Sequence, residues 1–303
     1  NNIQFDRSRF MAISRQMVAY SDNGYQWSSV VLNSDVEFRD IVFAGRNFDR
    51  AFITTAHRGQ NSPVSPRLTM PGIGRADVWV FDSQAIGSEF GGTPLTIVTL
   101  FGDTPRALAV TPDGSKVYAA IFNSGNRTTV IHQVETADKA APMANIEGIE
   151  APKTGHILQF REGHWRDEQD KIFSEAGLNL PDYDVFTLDA TADKPVVTAK
   201  VSGVGTTLFN MAVNPVNGQL YVSNTNARNH VRFEGPGNNS STVRQHFVES
   251  RISIVQENEV LIRNLNPHVS PTQAVVSPEE KRASVATPLQ MAPTRDGKGL
   301  YLA

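Results

Sequence analysis

Five of the seven histidines, His57, His156, His164, His230 and His246, lie in or beside three segments at 58–75, 136–181 and 226–248. Arginine is dense in the same places: Arg58, Arg67, Arg75, Arg161, Arg166, Arg228, Arg232 and Arg244. Neutral imidazole ligates metals, and a guanidinium fork receives carboxylate or phosphate oxygens. Two chemistries are therefore open: a metal site assembled across loops, or a basic face for an anionic partner. The simpler reading is that loops collect polar residues. On that reading the arginines tie long loops down through backbone carbonyls and through Asp167, Glu168, Asp170, Glu234 and Glu249. The candidate binding residues are His57, Arg58, His156, His164, Arg228, His230, Arg232, Arg244 and His246. No catalytic residue is assigned, and the metal, if one binds, is unknown. The oxygen-rich stretches 123–126 and 224–229 are candidates for calcium, with ordinary Asx-turns as the plainer alternative.

Several chemistries are excluded by what the chain lacks. It has no cysteine, so it carries no disulfide, thiolate nucleophile or Cys-x-x-Cys-His haem attachment. No His pair has the Glu-flanked helical spacing of a metalloprotease, and there is no Gly-x-Ser-x-Gly elbow. Pro71-Gly-Ile-Gly74 is too short for a phosphate loop and precedes no helix. The net charge of −3 argues against phosphate-driven binding of nucleic acid. No apolar run approaches the roughly 18 residues of a membrane helix, so no membrane span is expected.

The elements that must position these residues are strands. Residues 105–120 read as an apolar strand, a Pro-Asp-Gly turn and a second strand; Pro presets the turn and Gly takes its positive φ. Residues 209–223 and 290–303 repeat that hairpin, and 39–54 is a weaker copy without Asp-Gly. Two further strand-like runs follow each hairpin. They are 76–82 with 95–101; either 128–134 or 182–189, with 196–201; and 250–255 with 260–265. Four antiparallel strands per unit, repeated, predict an all-β β-propeller whose blades bury their faces on one another. Taking Arg50, Lys116, Gln219 and Gly299 as equivalent gives steps of 66, 103 and 80 residues, longer than the usual ~40–50.

The excess length falls between the second and third strands of each unit, the position of 58–75, 136–181 and 226–248. Loops alternate between the two ends of an up-and-down blade, so all three inserts should crowd onto one end. Apolar spacing in 166–176 predicts a helix. The stretch 10–32 is expected to close a ring or end a preceding blade. The chain, 1–303, is expected to be one propeller segment of a longer protein, with a partial blade at 288–303 and about seven blades in all.

The Pro-Asp-Gly-Ser-Lys-Val-Tyr hairpin at 112–118 and the Leu-Tyr-Val-Ser-Asn strand at 220–224 resemble YVTN-type β-propeller repeats of secreted and surface-layer-like bacterial proteins. The resemblance covers the hairpins well and the inserts poorly. Residues 106–123 and 224–255 are similar to propellers in chains that also carry a c-type cytochrome domain. It implies a periplasmic or extracellular location. It also implies a haem-bearing domain or partner protein, with haem c in the intact protein and no cofactor within these residues. The function expected is a non-catalytic docking module for an electron-transfer or peroxidase-like domain. The alternatives are a surface structural or adhesive propeller and a lactonase-like hydrolase, for which Asp40, Asp103 and Glu249 are candidate acids.

Overall fold

The computed structural model describes residues 2–5, 9–14, 16–32, 36–57, 76–124, 127–132, 156–167, 170–174, 176, 182–227, 248–257, 259–270 and 276–303. Its sheets are antiparallel and follow one another along the chain as blades. The first is β1 (Asn2–Phe5), β2 (Phe10–Ile13), β3 (Met17–Ser21) and β4 (Ser28–Val31). The stretch 10–32 is thus the greater part of a complete four-stranded sheet, because Asn2–Phe5 pairs with Phe10–Ile13 as its first strand. The second blade is β5 (Val36–Ala44), β6 (Arg50–His57), β7 (Ala76–Asp82) and β8 (Thr96–Leu100).

The third blade begins with β9 (Pro105–Val110) and β10 (Lys116–Ile121). A separate small sheet follows, β11 (Thr128–Ile131), β12 (His156–Arg161) and β13 (His164–Arg166). The blade then resumes with β14 (Val185–Asp189), which pairs with β10, and β15 (Val196–Val201). This settles the third strand in favour of 182–189, and the second-to-third connection runs from 122 to 184. The fourth blade is β16 (Thr207–Val213), β17 (Leu220–Ala227), β18 (Val248–Gln256) and β19 (Glu259–Asn264). The hairpin β20 (Met291–Pro293) and β21 (Leu300–Leu302) follows.

First strands lie against first strands from blade to blade, β1 on β5, β5 on β9, β9 on β16 and β16 on β20. The core therefore sits in the seams. Met11, Ile13, Val18 and Val30 face Ile41, Ile53, Trp79 and Phe81 between the first two blades. Phe52, Val78 and Leu100 face Leu108, Val117, Phe186 and Leu188 in the next. Val185, Val201 and Ala120 face Leu208, Met211, Val222 and Val255 in the third. Each large side chain so buried contributes roughly 1.5–3 kcal/mol.

Turn chemistry repeats with the hairpins. Asp113 accepts from Thr111 Oγ1 at 2.6 Å and from the Ser115 amide at 3.0 Å. Asp296 does the same with Thr294 Oγ1 at 2.6 Å and the Lys298 amide at 3.1 Å. Gly114, at φ 71°, lies so close to the second blade that a Cβ there would stand 2.5 Å from the Gly45 carbonyl oxygen. Only glycine fits that turn.

The described residues of the stretch 166–176, expected to be a helix, are not helical. Arg166 ends β13 and bridges to Ile172, while Asp167 Oδ1 accepts the Lys171 amide at 2.9 Å. Asp170 has φ 64°, outside the helical region. The buried Asp167 offers its backbone neighbours a local partner that competes with the helical ladder. The helix among the described residues is instead α1 (Pro278–Ala283), opened by a capping box of Ser277 and Glu280 with Pro278 in its first turn.

Candidate functional site at the insert-bearing end

In the second, third and fourth blades the long connection leaves between the second and third strands, from β6, β10 and β17 to β7, β14 and β18. Blade-to-blade connections reach the same end. The Phe122 amide donates to the Thr104 carbonyl at 2.8 Å, and the Ser124 amide to the Thr206 carbonyl at 3.0 Å. The Ala227 amide donates to Thr206 Oγ1 at 2.9 Å. His268, in the connection after β19, has Nε2 3.2 Å from the Glu280 carbonyl and from Ser284 Oγ, which ties that connection to α1.

Of the residues singled out by sequence, Arg58, Arg228, His230, Arg232, Arg244 and His246 lie outside the described residues. His57 ends β6 and His156 begins β12, and their side chains also lie outside them. His164 is exposed on β13, directly opposite Arg161 across the hairpin. Arg161 is held by Asp170 at 2.9 Å and by the Asp167 carbonyl at 2.8 Å, and Arg166 by Glu162 at 3.2 Å. Those two arginines thus tie their own hairpin together. No group of three or more His, Asp or Glu among the described residues is placed to hold a metal ion.

The candidate acids are engaged as well. Asp40 Oδ2 accepts the Leu108 amide of the next blade at 2.8 Å. Asp103 accepts from Thr104 Oγ1 at 2.7 Å, and Glu249 stands 3.7 Å from Arg251. Asn224, read both as the end of the 220–224 strand and as the start of a turn or calcium stretch, is a fully buried strand residue of β17. Its amide donates to Ser253 Oγ at 2.9 Å and to the Val222 carbonyl at 3.0 Å.

The densest polar cluster at this end was not anticipated from the residues. Asp184, buried just before β14, accepts from Ser124 Oγ through Oδ1 and from the Val204 and Gly205 amides through Oδ2. Asp182 Oδ1 lies 3.4 Å from the same Ser124 Oγ, and its Oδ2 accepts the Arg127 amide at 2.9 Å. Across the third seam the buried Arg251 donates to the Val204 carbonyl at 3.2 Å and to Asn224 Oδ1 at 3.4 Å. Ser253 Oγ donates to that carbonyl at 2.8 Å.

Burial pushes the Asp184 carboxyl up to about 7, against the pull of Ser124 and with a further push from the Asp182 charge. Burial raises Asp182 too, opposed by the Arg127 amide and Ser124. Arg251 is lowered by burial, offset by Glu249 and Asp184. A signal for this cluster does exist in the sequence. Asp77, Asp184 and Arg251 each lie five residues before the last residue of the third strand (Asp82 or Asp189) or its counterpart Gln256. A charged residue recurring there in otherwise apolar strands marks a buried position that needs partners.

Chemically the cluster can brace a seam and hold a proton. Acid–base catalysis needs a group within hydrogen-bond reach of a substrate. Asp184 is 1% exposed and Arg251 6%, and both are satisfied by protein groups.

No protein-family model matches the chain, and no curated protein matches it. Among solved structures it is similar to hydrazine synthase of Kuenenia stuttgartiensis, at 12% identity and a TM-score of 0.40, covering 98% of this chain and 70% of that one. It is also similar to the major Malassezia sympodialis allergen Mala s 1, at 10% identity and a TM-score of 0.32, covering 87% of this chain and 77% of that one.

Proposed function

We propose that this chain is a non-catalytic propeller module of a larger exported bacterial protein, and that its insert-bearing end docks a haem-bearing domain or partner protein. One observation carries the reading: three long connections leave successive blades from the same position and end, on rigid four-stranded sheets. Long loops held on a rigid scaffold form binding surfaces. The buried Asp184 and Arg251 at the roots of two of these connections are closed on protein partners, which favours a docking surface over an active site. The haem in this proposal rests on the resemblance of the hairpins to propellers joined to c-type cytochrome domains.

The test is an absorption spectrum of the intact native polypeptide, oxidised and then reduced with dithionite. A Soret band with sharp α and β bands on reduction is the expected result. Aromatic absorption alone would remove the haem partner and leave a propeller that binds something else.

A further inference from the structure

A count of hydrogens at Ser124 carries an inference that is independent of what docks on the insert-bearing end. A serine hydroxyl has one hydrogen to donate and lone pairs to accept with. Ser124 Oγ lies within hydrogen-bond distance of two carboxylate oxygens, Asp184 Oδ1 and Asp182 Oδ1. The other oxygen of each carboxyl is occupied. Asp184 Oδ2 takes the Val204 and Gly205 amides, and Asp182 Oδ2 takes the Arg127 amide. If both carboxyls were ionised, Ser124 could satisfy one Oδ1 only, leaving two like charges facing one hydroxyl. With one carboxyl protonated, an Oδ1–H donates to Ser124 Oγ, and Ser124 donates to the other Oδ1.

We propose that Asp182 and Asp184 hold a single proton between them through Ser124, and that this proton is the catch fixing the β11–β13 sheet to the blades. The mechanical link runs through Arg127. Its amide is held by Asp182, its carbonyl accepts the Phe160 amide at 2.8 Å, and its guanidinium sits 4.1 Å from the centroid of the Phe160 ring. Phe160 lies on β12, edge-on to Trp165 of β13 with centroids 5.4 Å apart. Loss of the proton sets the two carboxylates against each other, and the Asp182–Arg127 anchor is the more exposed and yields first.

The charged groups facing the cluster, among the described residues, act in known directions. Arg251 lies beyond the Val204–Gly205 peptide and favours ionisation of Asp184, while Glu249 partly neutralises Arg251. Arg127 favours ionisation of Asp182. Asp103, whose carbonyl accepts the Asn123 amide at 3.3 Å, adds negative charge on the neighbouring connection. Desolvation of the pair opposes ionisation and keeps the proton in place toward neutral pH. The two losses belong to the pair and not to either residue alone.

The test uses the full chain, with aspartate side-chain carboxyls followed by NMR from about pH 4 to about pH 9 and hydrogen exchange read at the β11–β13 amides. One carboxyl proton should persist past ~pH 6, and protection factors corrected for intrinsic exchange should fall about tenfold as it leaves. Asp184→Asn keeps an acceptor for the two amides and a permanent donor toward Ser124, so its insert protection should be flat with pH. Asp182→Asn supplies the same donor from the other side and gives a second reading if the first variant does not fold. Two carboxyls already ionised at ~pH 5 would overturn the shared proton. A pH-dependent loss of protection equal in wild type and variant would overturn the catch.

Discussion

Asp184 and Arg251 grip opposite sides of one peptide unit. The Gly205 amide of the Val204–Gly205 peptide donates to Asp184 Oδ2 at 3.3 Å, and the Val204 carbonyl of the same peptide accepts from Arg251 Nη2 at 3.2 Å. A carboxyl on one blade and a cation on the next thus hold the peptide that links those blades, in a buried setting where such bonds strengthen one another.

Removing the cation should hurt more than replacing the carboxyl by an amide. Arg251→Ala takes the partner from Asn224 Oδ1 and Glu249 and leaves the Val204 carbonyl to Ser253 alone, and the expected loss is roughly 3–5 kcal/mol. Asp184→Asn retains an acceptor and should cost less, about 1–2 kcal/mol. Urea unfolding of both variants checks the order, and equal losses would mean that the peptide is not held from both sides.

Gly205 must stay glycine. A Cβ there would stand 2.7 Å from Asn224 Cγ and 2.9 Å from Asn224 Cβ, in a position where Asn224 is pinned by Ser253 and Val222. Gly205→Ala should destabilise by roughly 1–3 kcal/mol. Combining it with Asn224→Ala removes the contact with Cγ and leaves only the one with Cβ, so the double variant should lose less than the sum of the two singles in a thermal melt.

Stability should respond to pH with two opposite slopes. Hydrogen bonds from Thr111 and Ser115 lower Asp113 to about 2, so its contribution is complete above its unfolded value and lost as pH falls through ~2. Asp184 is raised, so its contribution is complete below the unfolded value near 3.8 and lost as pH rises through about 7. Urea midpoints should therefore rise on leaving strong acid and then decline toward neutrality. Asp113→Asn should flatten the acid limb and Asp184→Asn the neutral one.

Asp40 braces two first strands. It accepts the Leu108 amide of the next blade, while its own amide donates to Thr54 Oγ1 at 2.9 Å. Asp40→Ala should cost roughly 1–3 kcal/mol by leaving a partly buried amide unpaired. Assayed on a lactone panel, the wild-type chain should show no turnover above an Arg58→Ala/His246→Ala double variant. Turnover lost in either variant would favour a hydrolase.

The blade hairpins, their turns and the position of the long connections were legible in the residues because each depends on near neighbours. Thr111-Pro112-Asp113-Gly114 and Thr294-Arg295-Asp296-Gly297 close their turns with bonds spanning two to five residues. Period-two apolar runs then set which face is buried. Tertiary structure decided what depends on distant partners. It chose Val185–Asp189 over Thr128–Ile131 as the partner of β10, since only one strand can occupy that edge. It buried Asn224 against Ser253 and kept the described residues of 166–176 out of a helix, where Asp167 took the Lys171 amide. It also brought Ser124 and Asp182 to Asp184, and Asp184 and Arg251 to one peptide, from three separate stretches of chain. Local pattern cannot encode that convergence, since a buried charge is tolerable only where folding delivers its partners.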